Sequence, residues 1–298
     1  MGLGTGRRRR SGGTDRGRAG TPSLMLAWLA AAAAIGLGTA LMSGGGNLAS
    51  PRAPEPATPV PIEPIPAIRV PRRSIERTLW GLAAAILILG IVHLMLPATI
   101  ESPGLRLYLD LLSLDGEQTL PAWFSATMMA GCGLLMVVAG LVARLREPAN
   151  AAPWFVLAAA FVYFSLDETT SIHEKIGVTI ASLHRFSGIL TFAWVVVAAP
   201  LLLVALAALV PFLRRLPAPI GRRLFVAGLV FVAGAFGCEL IGGYIWNTQG
   251  ASTLYLLEVI AEEALEMVGL ILAIGVVLDY LALVAPRLGL DLAAPDRT

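Results

Sequence analysis

Residues 153–174 read PWFVLAAAFVYFSLDETTSIHE. From Pro153 to Leu166 there is no charge and no polar face, and then Asp167, Glu168, His173 and Glu174 follow within two turns. A segment that is apolar all round belongs in a protein core or a bilayer rather than on the rim of a soluble domain. Extended through Glu174 it reaches about 20 residues, the length that crosses roughly 30 Å of hydrocarbon as a helix. The acidic end is then the anomaly, because a charge at a bilayer centre costs about 2.5–3.5 kcal/mol on insertion scales.

The rest of the chain repeats this pattern. With 298 residues, 56% hydrophobic and only 14% charged, and a mean hydropathy of +0.76, it holds more apolar side chain than one soluble core can conceal. Apolar windows run over 79–97, 122–143, 154–174, 188–211, 223–246 and 257–281. The expected fold is therefore all-α, a polytopic membrane bundle of six core helices within 75–286, with a cytoplasmic tail at 287–298.

Basic residues orient the bundle, since short cytoplasmic loops accumulate Lys and Arg. One side of the core receives Arg69, Arg72, Arg73, Arg77, Arg144, Arg146, Arg214, Arg215, Arg222, Arg223, Arg287 and Arg297, and the other only Arg106, Lys175 and Arg185. That asymmetry puts both ends of the core in the cytoplasm and the 98–121, 175–187 and 247–256 connections outside. The expected location is the cytoplasmic membrane, the inner membrane of a bacterium, with the lipid bilayer as the immediate partner. The Arg7–Arg10 run reads as a solvated or topogenic tail, and no nucleic-acid module is visible. Cys132 and Cys238 fall inside apolar windows, which predicts neither a disulfide framework nor a CxxC site.

Upstream of the core, 1–22 is a Gly- and Arg-rich tail expected to be disordered, and 44–74 is a linker whose stretch PRAPEPATPVPIEPIPAIRVP makes a polyproline-type spacer. Between them 23–43 is Ala- and Gly-rich and long enough to span. Crossing there would place Arg72 and Arg73 on the wrong face of the core. An additional helix, a signal-like segment, an interfacial helix, or a true start at Met25 or Met42 all remain open.

Function points to the acids. Counted at 1.5 Å per residue from the basic ends of their helices, His93, Asp167 and Glu239 come about 20–24 Å up, and Glu262 lies one to two turns below the outer end of the last helix. If 153–174 continues as one helix, Asp167, Thr170, Ser171 and Glu174 share a face, with His173 beside it. Glu258, Glu262 and Glu266 form an i, i+4, i+8 stripe flanked by Glu263. Anions so arranged repel, and the core offers a single lysine to neutralise them. Carboxylates with imidazole suit a divalent Zn, Mn or Fe ion, and helix bundles build metal sites in this way. The candidate ligands are Asp167, His173, Glu174, Glu239, Glu262 and Glu266, with Glu174 and Glu262 as candidate general bases.

Blander readings compete. Acids near the start of the last helix also suit its dipole, His184 sits in an external loop beside Arg185, and His93 precedes Pro97 near a helix exit. Asp115 and Glu117 can reach over the cluster or sit in a solvated turn, while Thr119 with Pro121 makes a helix start. HExxH is absent, since Lys175, Ile176 and Gly177 follow His173-Glu174, and no GxSxG or Walker A motif occurs in a fitting context.

The motifs DGE-x-x-x-P-x-W-F-S at Asp115–Ser125, SLDE with HE at Ser165–Glu174, and EExxEMxG at Glu262–Gly269 resemble those of a group of bacterial polytopic membrane proteins of uncharacterised activity. The resemblance covers about 79–285 and implies a shared fold without transferring an activity. Two functions from different classes stand. One is an outward-facing cation site serving a metal-dependent membrane enzyme or an ion- or proton-coupled transporter. The other is a non-catalytic structural or partner-binding subunit packed through small residues such as Gly228, Ala235 and Gly242.

Overall fold

The structure is a computed structural model that describes residues 71–96 and 102–286, all within one compact unit. The expected tail at 1–22, the extra segment at 23–43, most of the 44–74 linker and the 287–298 tail lie outside the described residues. Eight helices and no strand occur among the described residues: α1 (Arg72–Met95), α2 (Pro103–Leu109), α3 (Leu120–Arg146), α4 (Pro148–Thr170), α5 (Ile172–Leu183), α6 (Val195–Arg215), α7 (Ala218–Gln249) and α8 (Thr253–Val284). Six of them, α1, α3, α4, α6, α7 and α8, are long and apolar enough to cross a membrane.

Helix α8 is the axis. Its apolar window is 61% buried and that of α3 is 56%, against 11% for α6, so α3 and α8 form the centre and α6 stands at the edge. At the Arg-rich end the core closes over Trp154, whose ring meets Phe212 at 5.2 Å and Tyr280 at 4.9 Å. The same end carries an ion-pair cluster in which Arg72 and Arg223 both bond Asp279, while Arg215 donates to Asn150 Oδ1 at 3.1 Å. These contacts bring the starts of α1, α4 and α7 and the ends of α6 and α8 to one face.

Local chemistry sets the helix ends. Thr119 accepts from Ala122 N–H at 3.4 Å to cap α3, with Pro121 in its first turn, and Ser252 does the same for α8 through Tyr255 N–H at 3.3 Å. The 154–174 window is not one helix. Thr169 and Thr170 turn their hydroxyls back onto the Ser165 and Leu166 carbonyls, and Ser171 takes a left-handed conformation at φ 52°, ψ 44°. Helix α4 ends there, because Ser and Thr offer the backbone alternatives to helical bonding. The face shared by Asp167, Thr170, Ser171 and Glu174 therefore does not exist, and His173 and Glu174 open the separate helix α5.

A second irregularity lies in α7, where Ala233–Cys238 form a π-helical turn. A Cβ on Gly234 within it would come 2.9 Å from the Glu262 carbonyl and 3.0 Å from Glu266 Cγ. The widened turn thus lies directly against the acidic part of α8. Of the small residues expected to pack helices, Gly228 faces open space, whereas a Cβ on Gly242 would stand 2.6 Å from Glu258 Oε2.

Candidate metal centre in an acidic cavity

Away from the Arg-rich end the bundle opens into a cavity of about 790 Å³. The loop before α3 contributes Asp115 and Glu117, the end of α4 Asp167 and Glu168, and the start of α5 His173 and Glu174. From the opposite side come Glu239 of α7 and Glu258, Glu262, Glu263 and Glu266 of α8. Ten of the chain's 20 acidic residues thus line one space together with one histidine, and no Lys or Arg is among the lining residues.

The break at Ser171 builds the most ordered part of this wall. Asp167 Oδ1 accepts from the His173 backbone N–H at 2.8 Å, and its Oδ2 lies 2.8 Å from His173 Nδ1. One carboxylate therefore caps α5 and fixes the imidazole. The Trp194 ring meets that imidazole edge-on at 5.1 Å, and Trp194 Nε1 donates to Glu239 Oε1 at 3.3 Å. Helix α5 packs against Trp194 at Gly177, where a Cβ would make ordinary contact with the Trp194 backbone nitrogen at 3.4 Å. The ring is clamped on two sides.

Held this way, His173 turns Nε2 toward Glu117, whose Oε1 is 4.0 Å away. Glu117, His173 and Glu174 offer one ligand atom each within 4.8 Å of one another, a spacing that can hold a metal ion. Glu117 Oε2 has no protein partner. Burial raises the Glu117 carboxyl above its ordinary value, with the His173 charge pulling the other way. For His173, burial favours the neutral ring, but the hydrogen bond and charge of Asp167, with Glu239 and Glu117 behind it, outweigh burial and raise its value. With Nδ1 held by the Asp167 carboxylate, Nε2 is the ring nitrogen left available as a ligand, and metal-bound histidines are oriented by such a partner.

Of the residues expected from sequence, Asp167, His173, Glu174, Glu239, Glu262 and Glu266 all line the cavity, but only His173 and Glu174 belong to the group of three. Asp167 is occupied with His173. Glu117 is the member that the sequence left between reaching over the cluster and a solvated turn, and its signal was the DGE motif, which ends three residues before α3. His93 lies elsewhere, 3.9 Å from Asp110, and His184 is exposed and meets Phe186 edge-on. Tyr255 donates to Asp115 Oδ1 at 3.4 Å and so ties the loop to α8. Cys132 and Cys238 are both free and buried.

No curated protein and no solved structure matches the chain. A protein-family model does, over residues 79–281, a stretch that contains five of the six long apolar helices almost whole, most of α1, and every residue of the cavity wall. The chain belongs to that family, a domain of unknown function designated DUF8692.

Proposed function

We propose that the protein is a metal-dependent membrane enzyme whose divalent ion, Zn, Mn or Fe, is held by Glu117, His173 and Glu174. The observation that carries this is the Asp167–His173 pair, which fixes the imidazole of a group, Glu117, His173 and Glu174, whose ligand atoms lie within 4.8 Å of one another. Three protein ligands leave a position open for water or a substrate oxygen, which the ion would activate. Glu174 is then a ligand rather than a base. Glu239 and Glu262, across the cavity, take the role of accepting and returning a proton.

The Arg-rich end is assigned to the cytoplasm and the acidic cavity to the outside of the cell membrane, on the bias of basic residues toward the inner face. A one-sided site accords with the dense packing of Trp154, Phe212 and Tyr280 at the other end. A second reading, an ion- or proton-coupled transporter, draws on the Glu258, Glu262 and Glu266 stripe, which runs two turns along α8 beyond the three ligands. Titration of metal-stripped protein tests the site. One ion should bind per chain, and Glu117→Ala or His173→Ala should weaken it at least tenfold. Unchanged binding in both variants would remove the reading. Proteoliposomes then separate enzyme from carrier, because only a carrier moves the ion or protons across the bilayer.

A further inference from the structure

The cavity does not end at its acids. Its lining continues along one face of α6 through Val197, Ala198, Leu201, Leu202 and Ala205, a run of about 12 Å at 1.5 Å per residue directed into the membrane-spanning part of the bundle. Helix α6 buries only Val195 at one end and Phe212 at the other. Between them it stands away from its neighbours, and Leu201, which lines the cavity, is still 65% exposed. Across the gap, Tyr163 and Phe164 of α4 line the same space and are also exposed, and Phe231 of α7 forms its floor, 5.7 Å from Phe164 ring to ring. The acidic chamber therefore continues into an apolar cleft between α4 and α6, along stretches of both helices that are apolar enough to lie in a membrane.

We propose that the cleft admits the hydrocarbon chain of an amphiphile whose head carries an ammonium group, and that this is the class of molecule presented to the acidic chamber. Lipid tails are as apolar as leucine, so a chain moving from the bilayer into the cleft gains packing but no hydrophobic driving force. Selection falls to the head. There the cavity wall presents carboxylates and no Lys or Arg, and Glu258, only 8% exposed, leaves Oε1 without a protein partner. A primary ammonium offers three donors and one positive charge to such a wall, whereas a phosphate head would find no Lys or Arg among the lining residues. The chain in the cleft and the head among Glu239, Glu258 and Glu262 use two parts of one continuous space. The inference rests on reading this cavity as the working site, but its test does not depend on the metal.

The test is photo-crosslinking of the full-length protein in nanodiscs with a long-chain primary amine carrying a diazirine on its chain. Label is expected on peptides containing Tyr163 and Leu201–Leu202. Excess dodecylamine should reduce it at least fivefold and dodecyl phosphate should not. Ala205→Trp, or Leu202→Trp if the first does not fold, should abolish the label while metal content stays at the wild-type level. Leu203→Trp, on the exposed face of α6 that does not line the cavity, should leave it intact. Label spread over the outer faces of α6, equal competition by the phosphate, or undiminished label in a folded cleft variant would overturn the proposal. Loss of metal without loss of amine label would count against the metal reading alone.

Discussion

Asp167 does two jobs with one carboxylate, capping α5 and turning His173. Asp167→Asn keeps the shape but not the charge, so it should lower metal affinity about 10- to 100-fold, the usual cost of removing an orienting partner. Titration calorimetry of metal-stripped protein measures this. Protons compete with the ion for His173 Nε2, and the raised His173 value places that competition at higher pH than for a free imidazole. Metal affinity should therefore fall as pH drops through a midpoint above about 6.5, and in His173→Ala that step should disappear. Ser171 is left-handed at φ 52°, a conformation that costs a non-glycine residue about 1–2 kcal/mol. Ser171→Gly should leave metal binding intact and raise the melting temperature. Ser171→Pro should lose both, because the Ser171 N–H bonds the Asp167 carbonyl at 2.7 Å.

Among the elements, α7 and α8 meet through glycines rather than through a general small-residue face. A Cβ on Gly269 would lie 2.6 Å from the Phe231 backbone nitrogen, while one on Gly228 meets nothing within 4 Å. Gly269→Ala should destabilise the protein by about 1–3 kcal/mol as overpacking does, and Gly228→Ala should be neutral or slightly stabilising. Thermal unfolding in detergent distinguishes the two. Most of this level was legible in the sequence, since six apolar windows became six long helices and Thr119-x-Pro121 became a helix start. What escaped was the break inside 154–174, because composition alone does not tell a helix that runs on through Asp167–Ser171 from one that turns left-handed at Ser171. The wheel argument that joined Asp167 to Glu174 failed there, although Asp167 still reaches His173, by way of a side-chain cap. The π turn at Ala233–Cys238 was invisible for the same reason, as its composition is that of any apolar helix.

At the scale of the molecule, charge is sorted to opposite ends. Arginines gather around Asp279 and Asn150, and ten carboxyls surround the cavity. Sequence spacing found the acids on α4, α7 and α8 because each sits at a countable depth on its own helix. It chose His173 over His93 and His184 from their places near a helix exit and in a loop, but it did not name Glu117 as a ligand, because the place of Glu117 depends on how the loop before α3 folds over the bundle. On the proposed function these ends differ in role, and one ion sits at Glu117, His173 and Glu174. Elemental analysis of protein purified without a metal-binding tag tests it most directly. About one divalent ion per chain is expected in the wild type, retained in His93→Ala and His184→Ala and lost in Glu117→Ala, His173→Ala and Glu174→Ala. A wild type with no stoichiometric metal, or a His173→Ala variant that keeps it, would contradict the account.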